Sequence, residues 1–404
     1  MFKLLDYCDL ITDGEHGSVS DDPNGTCFLL SNKNILNGFV HIDQTDRRIN
    51  EKTKNLLNKR TKIGKNTILI STVGTIGKLA FIKDDELSYS FQRSVGIIKP
   101  NKEKIDPYFL YSLLQTKEYQ RRFNQMASGS VQKCIFISGL EDLDIPDVDK
   151  ERQARIGNIF FDLDCLIENN SLMIEQLTNK IKDLFTYWFV DFNFPNDNEK
   201  PYKENNGKFD KNGLPTGWSR ESFTDNNLFK LIPVGINKFK GTKIYLSTSD
   251  VDQNNYNLDA SQITFDNRES RANMQPIHSS IWFARMKKSV KHLYFDDSDY
   301  LVNDIILSTG FCGITAKKEN LEYVYGLINS KWFEETKDVY SSGSTQESIT
   351  DLILSYINVV IPDERTLKKF HDLAFSDLSM IQALKKQNDC LNKYKNFLLK
   401  TLFK

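Results

Sequence analysis

The chain has 404 residues, 39% hydrophobic and 26% charged, with 27 Phe, 16 Tyr and a formal net charge of −1. That apolar and aromatic content excludes a disordered chain, and the length allows two to three domains with their own cores. A neutral balance excludes binding of nucleic acid through bulk charge, so any such contact has to rest on local basic clusters. No run of about 18 apolar residues occurs, as a spanning helix requires. The start Met1-Phe2-Lys3-Leu4-Leu5-Asp6 lacks a signal-peptide pattern, and six cysteines without C-x-x-C or metal-type pairing with the five histidines point to reduced thiols in the cytoplasm.

Residues 1–148 read as a mixed, strand-rich module. Cys27-Phe28-Leu29-Leu30, the run 67–72 and the run 78–82 are short apolar stretches bounded by Gly and Asn, as strands are. A helix is expected over 107–124, with Asp106 as cap and Pro107 in its first position. From residue 149 the period changes to seven: Phe160, Ile167, Ile174, Ile181 and Trp188 form one stripe, and Ile156, Leu163, Asn170, Leu177 and Leu184 the other. This predicts a long helix over 149–194. Residues 195–212, rich in Asn, Lys, Gly and Pro, read as an exposed linker. A second module, 213–362, opens at Leu214-Pro215-Thr216-Gly217-Trp218. A second long helix, 363–404, carries Phe370, Leu384, Leu391 and Leu398 beside Ala374, Ile381 and Leu402, interrupted by Asp377, Asn388 and Lys395. Polar residues in such a seam fix register and partner, and the two helices are expected to pair antiparallel.

The second half repeats the first. Tyr111-Ser112-Leu113-Leu114, Lys117 and Ser128-Gly129-Ser130-Val131-Gln132 return as Tyr325-Gly326-Leu327-Ile328, Lys331 and Ser342-Gly343-Ser344-Thr345-Gln346 at constant separation, and Ile145-Pro146-Asp147 returns as Ile361-Pro362-Asp363. So long a period is not that of a solenoid. It predicts an α+β fold of two strand-rich modules related by a pseudo-twofold repeat and joined by two long antiparallel coiled-coil helices.

Catalytic signatures are missing from the sequence. No G-x-G-x-x-G follows a strand, Gly74-Thr75-Ile76-Gly77-Lys78-Leu79 lacks the first glycine and the hydroxyl residue of a phosphate loop, and H-E-x-x-H and G-x-S-x-G do not occur. There is no Pro-Pro dipeptide, which removes the [DN]-P-P-[FYW] motif of amino-methyltransferases. Asp84-Asp85 and Asp296-Asp297 read as solvated turns. A stand-alone DNA methyltransferase or nuclease is therefore disfavoured, and a protein-binding coiled-coil adaptor is the other alternative.

The Asp13-Gly14-Glu15-His16-Gly17-Ser18 segment, the paired Ser-Gly-Ser-x-Gln loops, the Leu214–Trp218 opening and above all Leu184-Phe185-Thr186-Tyr187-Trp188-Phe189-Val190-Asp191-Phe192 resemble the specificity subunits of type I restriction-modification systems. That resemblance covers the whole chain. It implies two target recognition domains, each reading one half of a bipartite double-stranded DNA site, and two helices that act as spacer and as docking surface for two methyltransferase subunits, to which restriction-translocase subunits add. S-adenosylmethionine, ATP and Mg would belong to those partners, with no cofactor, metal or catalytic residue on this chain.

Reading DNA takes cations for phosphates, and amides, guanidinium or hydroxyl groups for base edges. In the first module the candidates are His16, Ser31, Asn32, Lys33, Thr72, Thr75, Lys78, Gln92, Arg93, Gln132 and Lys133. In the second they are Lys238, Lys240, Lys243, Arg268, Arg271, Gln346 and the run Arg285, Lys287, Lys288 and Lys291, expected on a packed strand that presents its charges in one direction.

Overall fold

Apolar runs bounded by Gly and Asn become strands, and the heptad stretches become helices of 36 and 39 residues, Lys150–Phe185 and Glu364–Leu402. The computed structural model describes residues 2–403 except 37, 44, 129–132, 253–254, 257–259 and 344–346. The chain divides into two units, residues 1–169 with 388–404, and residues 170–387.

In the first unit an antiparallel sheet has the order Cys8–Asp13, Val95–Pro100, Ile68–Ser71, Leu79–Phe81. A smaller sheet pairs Cys27–Leu30 in parallel with Tyr89–Phe91. The second unit builds a corresponding pair of sheets, the second of them with a further strand, Ala272–Met274. Its antiparallel sheet runs Phe229–Leu231, Phe311–Ala316, Ser280–Ala284, His292–Phe295, and Lys243–Leu246 lies parallel to Ile305–Ser308. A two-stranded ladder precedes each long helix, Phe2–Lys3 with Asp144–Ile145 and Ser219–Ser222 with Asn358–Ile361. In the first core Ile68, Ile70, Phe109 and Phe123 pack with Phe160 of the first long helix; in the second, Ile281, Phe283, Val324 and Phe333 pack with Ile181 and Phe185. Each such fully buried side chain contributes roughly 1.5–3 kcal/mol.

The single helix expected over 107–124 is two, Pro107–Leu114 and Lys117–Met126. Its cap forms as expected, the Asp106 carboxylate accepting from the Phe109 N–H at 2.7 Å. The break falls at Thr116, whose backbone is extended and whose hydroxyl donates to the Leu113 carbonyl at 2.8 Å. In the second unit Ser330 stands between Leu321–Asn329 and Lys331–Tyr340, and its hydroxyl donates to Leu327 at 2.7 Å. The hydroxyl that satisfies a terminal carbonyl and ends the helix is part of the repeat.

Both long helices start on an aspartate cap. Asp149 accepts from the Arg152 N–H at 2.8 Å and Asp363 from the Thr366 N–H at 3.0 Å. The counterpart of Asp363 as a cap is thus Asp149, not the Asp147 with which the Ile-Pro-Asp match aligns it. The first helix does not continue regularly to 194. It ends in a π-helical turn, Thr186–Val190, followed by Phe192 in the left-handed region at φ 61°. That wider turn lets neighbouring Trp188 and Phe189 both face inward, onto Phe370 and Tyr323. The expected exposed linker 195–212 folds back: Pro195 bridges Pro201, Phe209 bridges Pro215, and Phe194 stacks at 4.5 Å on both Tyr202 and Trp218. Most of its residues are exposed as expected, but Tyr202 and Phe209 pack edge to face and fix its path.

The seam pairs antiparallel within each unit. In the first, Lys395 meets Asp164 at 2.6 Å and the Asn388 amide donates to the Ile167 carbonyl at 3.3 Å. In the second, the Asn170 amide donates to the Gln387 side-chain oxygen at 3.0 Å and Lys180 meets Asp377 at 2.8 Å. The residues that interrupt the apolar stripe are those that make these cross-helix bonds.

Candidate nucleic-acid interface

Each module gathers its loops at one end of the antiparallel sheet. In the first module the hairpin loop closes from Ser71 to Lys78, the Ser71 N–H donating to the Lys78 carbonyl at 2.8 Å. Gly74 and Gly77 take φ of 76° and 82°, values that favour glycine. In the second the Ala284 N–H donates to the Lys291 carbonyl at 3.0 Å, closing a loop of the same length. The stretch that follows the repeated Ser-Gly-Ser-x-Gln motif is clamped onto each hairpin by the same two backbone bonds. Ile135 donates to Thr72 and Gly74 to Lys133 in the first module, at 2.9 and 3.2 Å; Ile349 donates to Arg285 and Lys287 to Glu347 in the second, both at 3.0 Å.

A short capped turn completes each cluster. Ser31 and Asn34 cap the first, whose Asn32 amide donates to the Val73 carbonyl at 2.7 Å. Ser247 and Asp250 cap the second, where the Lys291 ammonium donates to the Thr248 carbonyl at 2.6 Å. A strand-to-strand turn closes behind, Thr72 donating to Ser94 and Arg285 to Gly310. The frame is therefore the same in both modules, and the side chains it carries differ.

Most first-module candidates meet in this cluster. Thr75, Arg93 and Lys133 are exposed, and Lys78 and Gln92 are half-buried. Lys33 pairs with Asp46 at 2.6 Å, and the Ser31 N–H donates to Asn34. Thr72 is only 2% exposed and its hydroxyl faces the Arg93 carbonyl, so it braces the loop instead of offering a group outward. His16 is exposed and bonded to Asp13 at 2.7 Å. Its loop joins the cluster because Glu15 donates to Phe91 and Arg93 to Glu15. Gly14 packs so closely on the Gln92 backbone that a Cβ would lie 2.2 Å from its carbonyl oxygen. Gln132 and Gln346 lie outside the described residues.

The basic run of the second module is not on a strand. Arg285, Lys287, Lys288 and Lys291 lie in the loop after Ser280–Ala284, and three are engaged. Arg285, with a side chain 13% exposed, donates to the Phe311 and Ile349 carbonyls and to Asp351. Lys287 pairs with Glu347 at 2.8 Å, and Lys291 holds Thr248. Lys288, at φ 58°, is exposed. Arg271 is exposed next to the closing turn, its carbonyl accepting from Thr309 at 2.9 Å. Lys238, Lys243 and Arg268 form a separate group over two edge-packed rings, Lys243 4.9 Å from Phe239, and Lys238 and Arg268 6.0 and 4.4 Å from Phe265; Lys240 is exposed nearby in sequence. Burial pulls the Lys243 ammonium below its usual pKa, against Asp304, which acts to raise it.

Sequence reasoning missed Ser94, whose hydroxyl accepts from the Asn32 N–H, and Thr248 and Ser249 of the second capped turn. It also missed the buried group Lys337, Glu334 and His292 beneath the second hairpin loop. Its one signal was a lysine four residues after the buried Phe333 on the inner face of a helix.

Residues 17–183 match the family described as the type I restriction modification DNA specificity domain. Over 390 residues the chain is 25% identical to the type I restriction enzyme MjaIX specificity subunit of Methanocaldococcus jannaschii, covering 87% of this chain and 82% of that one. Over 172 residues it is 31% identical to the type I restriction enzyme HindI specificity subunit of Haemophilus influenzae, 41% of this chain and 36% of that one. The crystal structure of the type I restriction-modification system S subunit from M. genitalium matches with a TM-score of 0.53 at 17% identity, over 100% of this chain and 95% of that chain, a likeness of fold. Fold and matches together define a DNA-recognition subunit built from a duplicated module. Most of its length is similar to the specificity subunits of type I restriction-modification systems, and residues 17–183 match their DNA specificity domain.

Proposed function

We propose that this chain selects where a type I restriction-modification complex acts, each module reading one half of a bipartite DNA site. The observation that carries this is the loop cluster built twice on one frame with different side chains, Thr72 against Arg285 and Asn32 against Thr248 at matching places. A constant frame orients the contact, and varied tips give each module its own pattern of donors and acceptors. Exposed apolar residues on the long helices, among them Leu166, Tyr394 and Phe397 in the first unit and Leu172, Leu373 and Met380 in the second, support docking of two methyltransferase subunits, with restriction-translocase subunits added. S-adenosylmethionine, ATP and Mg are then held by those partners in the cytoplasm, and this chain supplies address and not chemistry.

Methylation-site mapping with the partner subunits present, with and without this chain, tests the reading. A two-part motif is expected only when the chain is present, and the purified chain alone should transfer no methyl group. Methylation by the isolated chain, or an unchanged motif without it, would sink the proposal.

A further inference from the structure

We propose that Lys337, Glu334 and His292 position the second module's hairpin loop for DNA reading, so that this half-site is read through a loop held by a buried charged strut. The inference rests on the two-module reading above.

Lys337 lies on the helix Lys331–Tyr340 with no exposed surface. Its ammonium donates to the Ser289 carbonyl at 2.7 Å and the Ala284 carbonyl at 3.4 Å, and pairs with Glu334 at 2.6 Å. These three partners occupy its three donors. The other Glu334 oxygen lies 3.0 Å from His292 Nε2, and His292 Nδ1 lies 3.0 Å from the Asn329 side-chain oxygen. Ala284 ends the outgoing strand, Ser289 lies inside the loop and His292 begins the return strand. One helix therefore holds the hairpin at all three places. Burial would raise the Glu334 pKa, but the His292 bond and the Lys337 charge hold it below the usual carboxylate range.

The first module shows that packing alone does not require the charge. Phe123, which stands where Lys337 stands in the repeat, is fully buried, and the loop is tied by a neutral amide, Gln120 donating to the Gly77 carbonyl at 3.1 Å. A buried ammonium is costly unless fully paired. What the strut adds is direction, because hydrogen bonds to two named carbonyls fix the loop backbone where apolar contact would let it shift.

The test uses the assembled complex methylating DNA randomised across both half-sites. Lys337→Met alone strands the Glu334 charge, whereas Lys337→Met combined with Glu334→Gln keeps an acceptor for His292 and leaves no orphaned charge. In the double variant, discrimination between preferred and other bases should fall roughly tenfold at one half-site, on the scale of one lost base contact, and stay unchanged at the other. Full discrimination at both half-sites in the folded double variant overturns the proposal, as does equal relaxation at both. Amide hydrogen exchange of the wild-type complex gives a reading independent of any variant. The N–H groups of Ala284 and Ser289, which donate to Lys291 and Met286 inside the loop that the strut holds, should exchange as slowly as those of Ile281 and Phe283, and exchange at the rate of an open loop overturns the strut. Wild-type methylation at a site without two halves would instead fail the two-module reading, before any variant is made.

Discussion

Asp363 shows how much one side chain carries here. It caps the second long helix through the Thr366 N–H and hydroxyl, and accepts from the Trp218 indole at 2.8 Å, joining the module's opening to its helix. Burial would raise its pKa, but the Thr366 bonds and the Trp218 indole outweigh this and hold it below the usual carboxylate range. Asp363→Ala should lower stability by about 1 kcal/mol for the cap and about 1–3 kcal/mol for the stranded indole N–H. Because the folded pKa lies below the unfolded value near 3.9, the aspartate's contribution is complete above that value and is lost as pH falls through the lower one. Melting curves should therefore converge between wild type and Asp363→Ala as the solution is taken below about pH 4, and a gap that stays constant with pH would contradict the role. Both residues were visible in the sequence, Trp218 in the opening motif and Asp363 as the helix start. Their bond was not, since nothing local to either names a partner so far along the chain. For the same reason the Ile-Pro-Asp match aligned Asp147 with Asp363, while the cap itself sits at Asp149.

At the scale of elements, the heptads placed Phe160, Ile181, Trp188, Phe370 and Ile381 in the buried seam, and all five are buried. The pattern also marked Asn170, Asp377, Asn388 and Lys395 as polar, but periodicity says only that a position faces inward, not which residue meets it. The observed pairs show how to shorten the rods in register. Asn170 faces Gln387 and Lys180 faces Asp377, so removing 171–177 calls for removing the facing turns 380–386. One heptad is about 10 Å of helix, or roughly three base pairs of duplex at about 3.4 Å each. If the rods set the gap between half-sites, methylation mapping of the folded variant should find a gap shorter by about that amount, or activity should fail as the half-sites rotate out of phase. The same gap at undiminished activity would show that the rods do not measure DNA. The Thr116 and Ser330 helix breaks escaped the sequence reading because one hydroxyl in an apolar stretch is weak against the surrounding helical pattern.

For the whole molecule, the duplication was the strongest signal in the sequence, and the two units carry corresponding sheets and repeat the helix pair and capped rods. The candidate contacts were legible less evenly. Loops 71–78 and 285–291 were each singled out for their own composition, glycines in one and cations in the other, and only the backbone clamps show that they are the same element. Cations looked free because charge runs read as surface, whereas Arg285, Lys287 and Lys291 spend their donors on Asp351, Glu347 and Thr248. The most direct measurement exchanges residues 213–362 for the matching module of a specificity subunit and maps methylation by the assembled complex. One half-site should change to that of the donor, with the other half-site intact. A change in both halves, or in neither, would contradict independent reading by two modules.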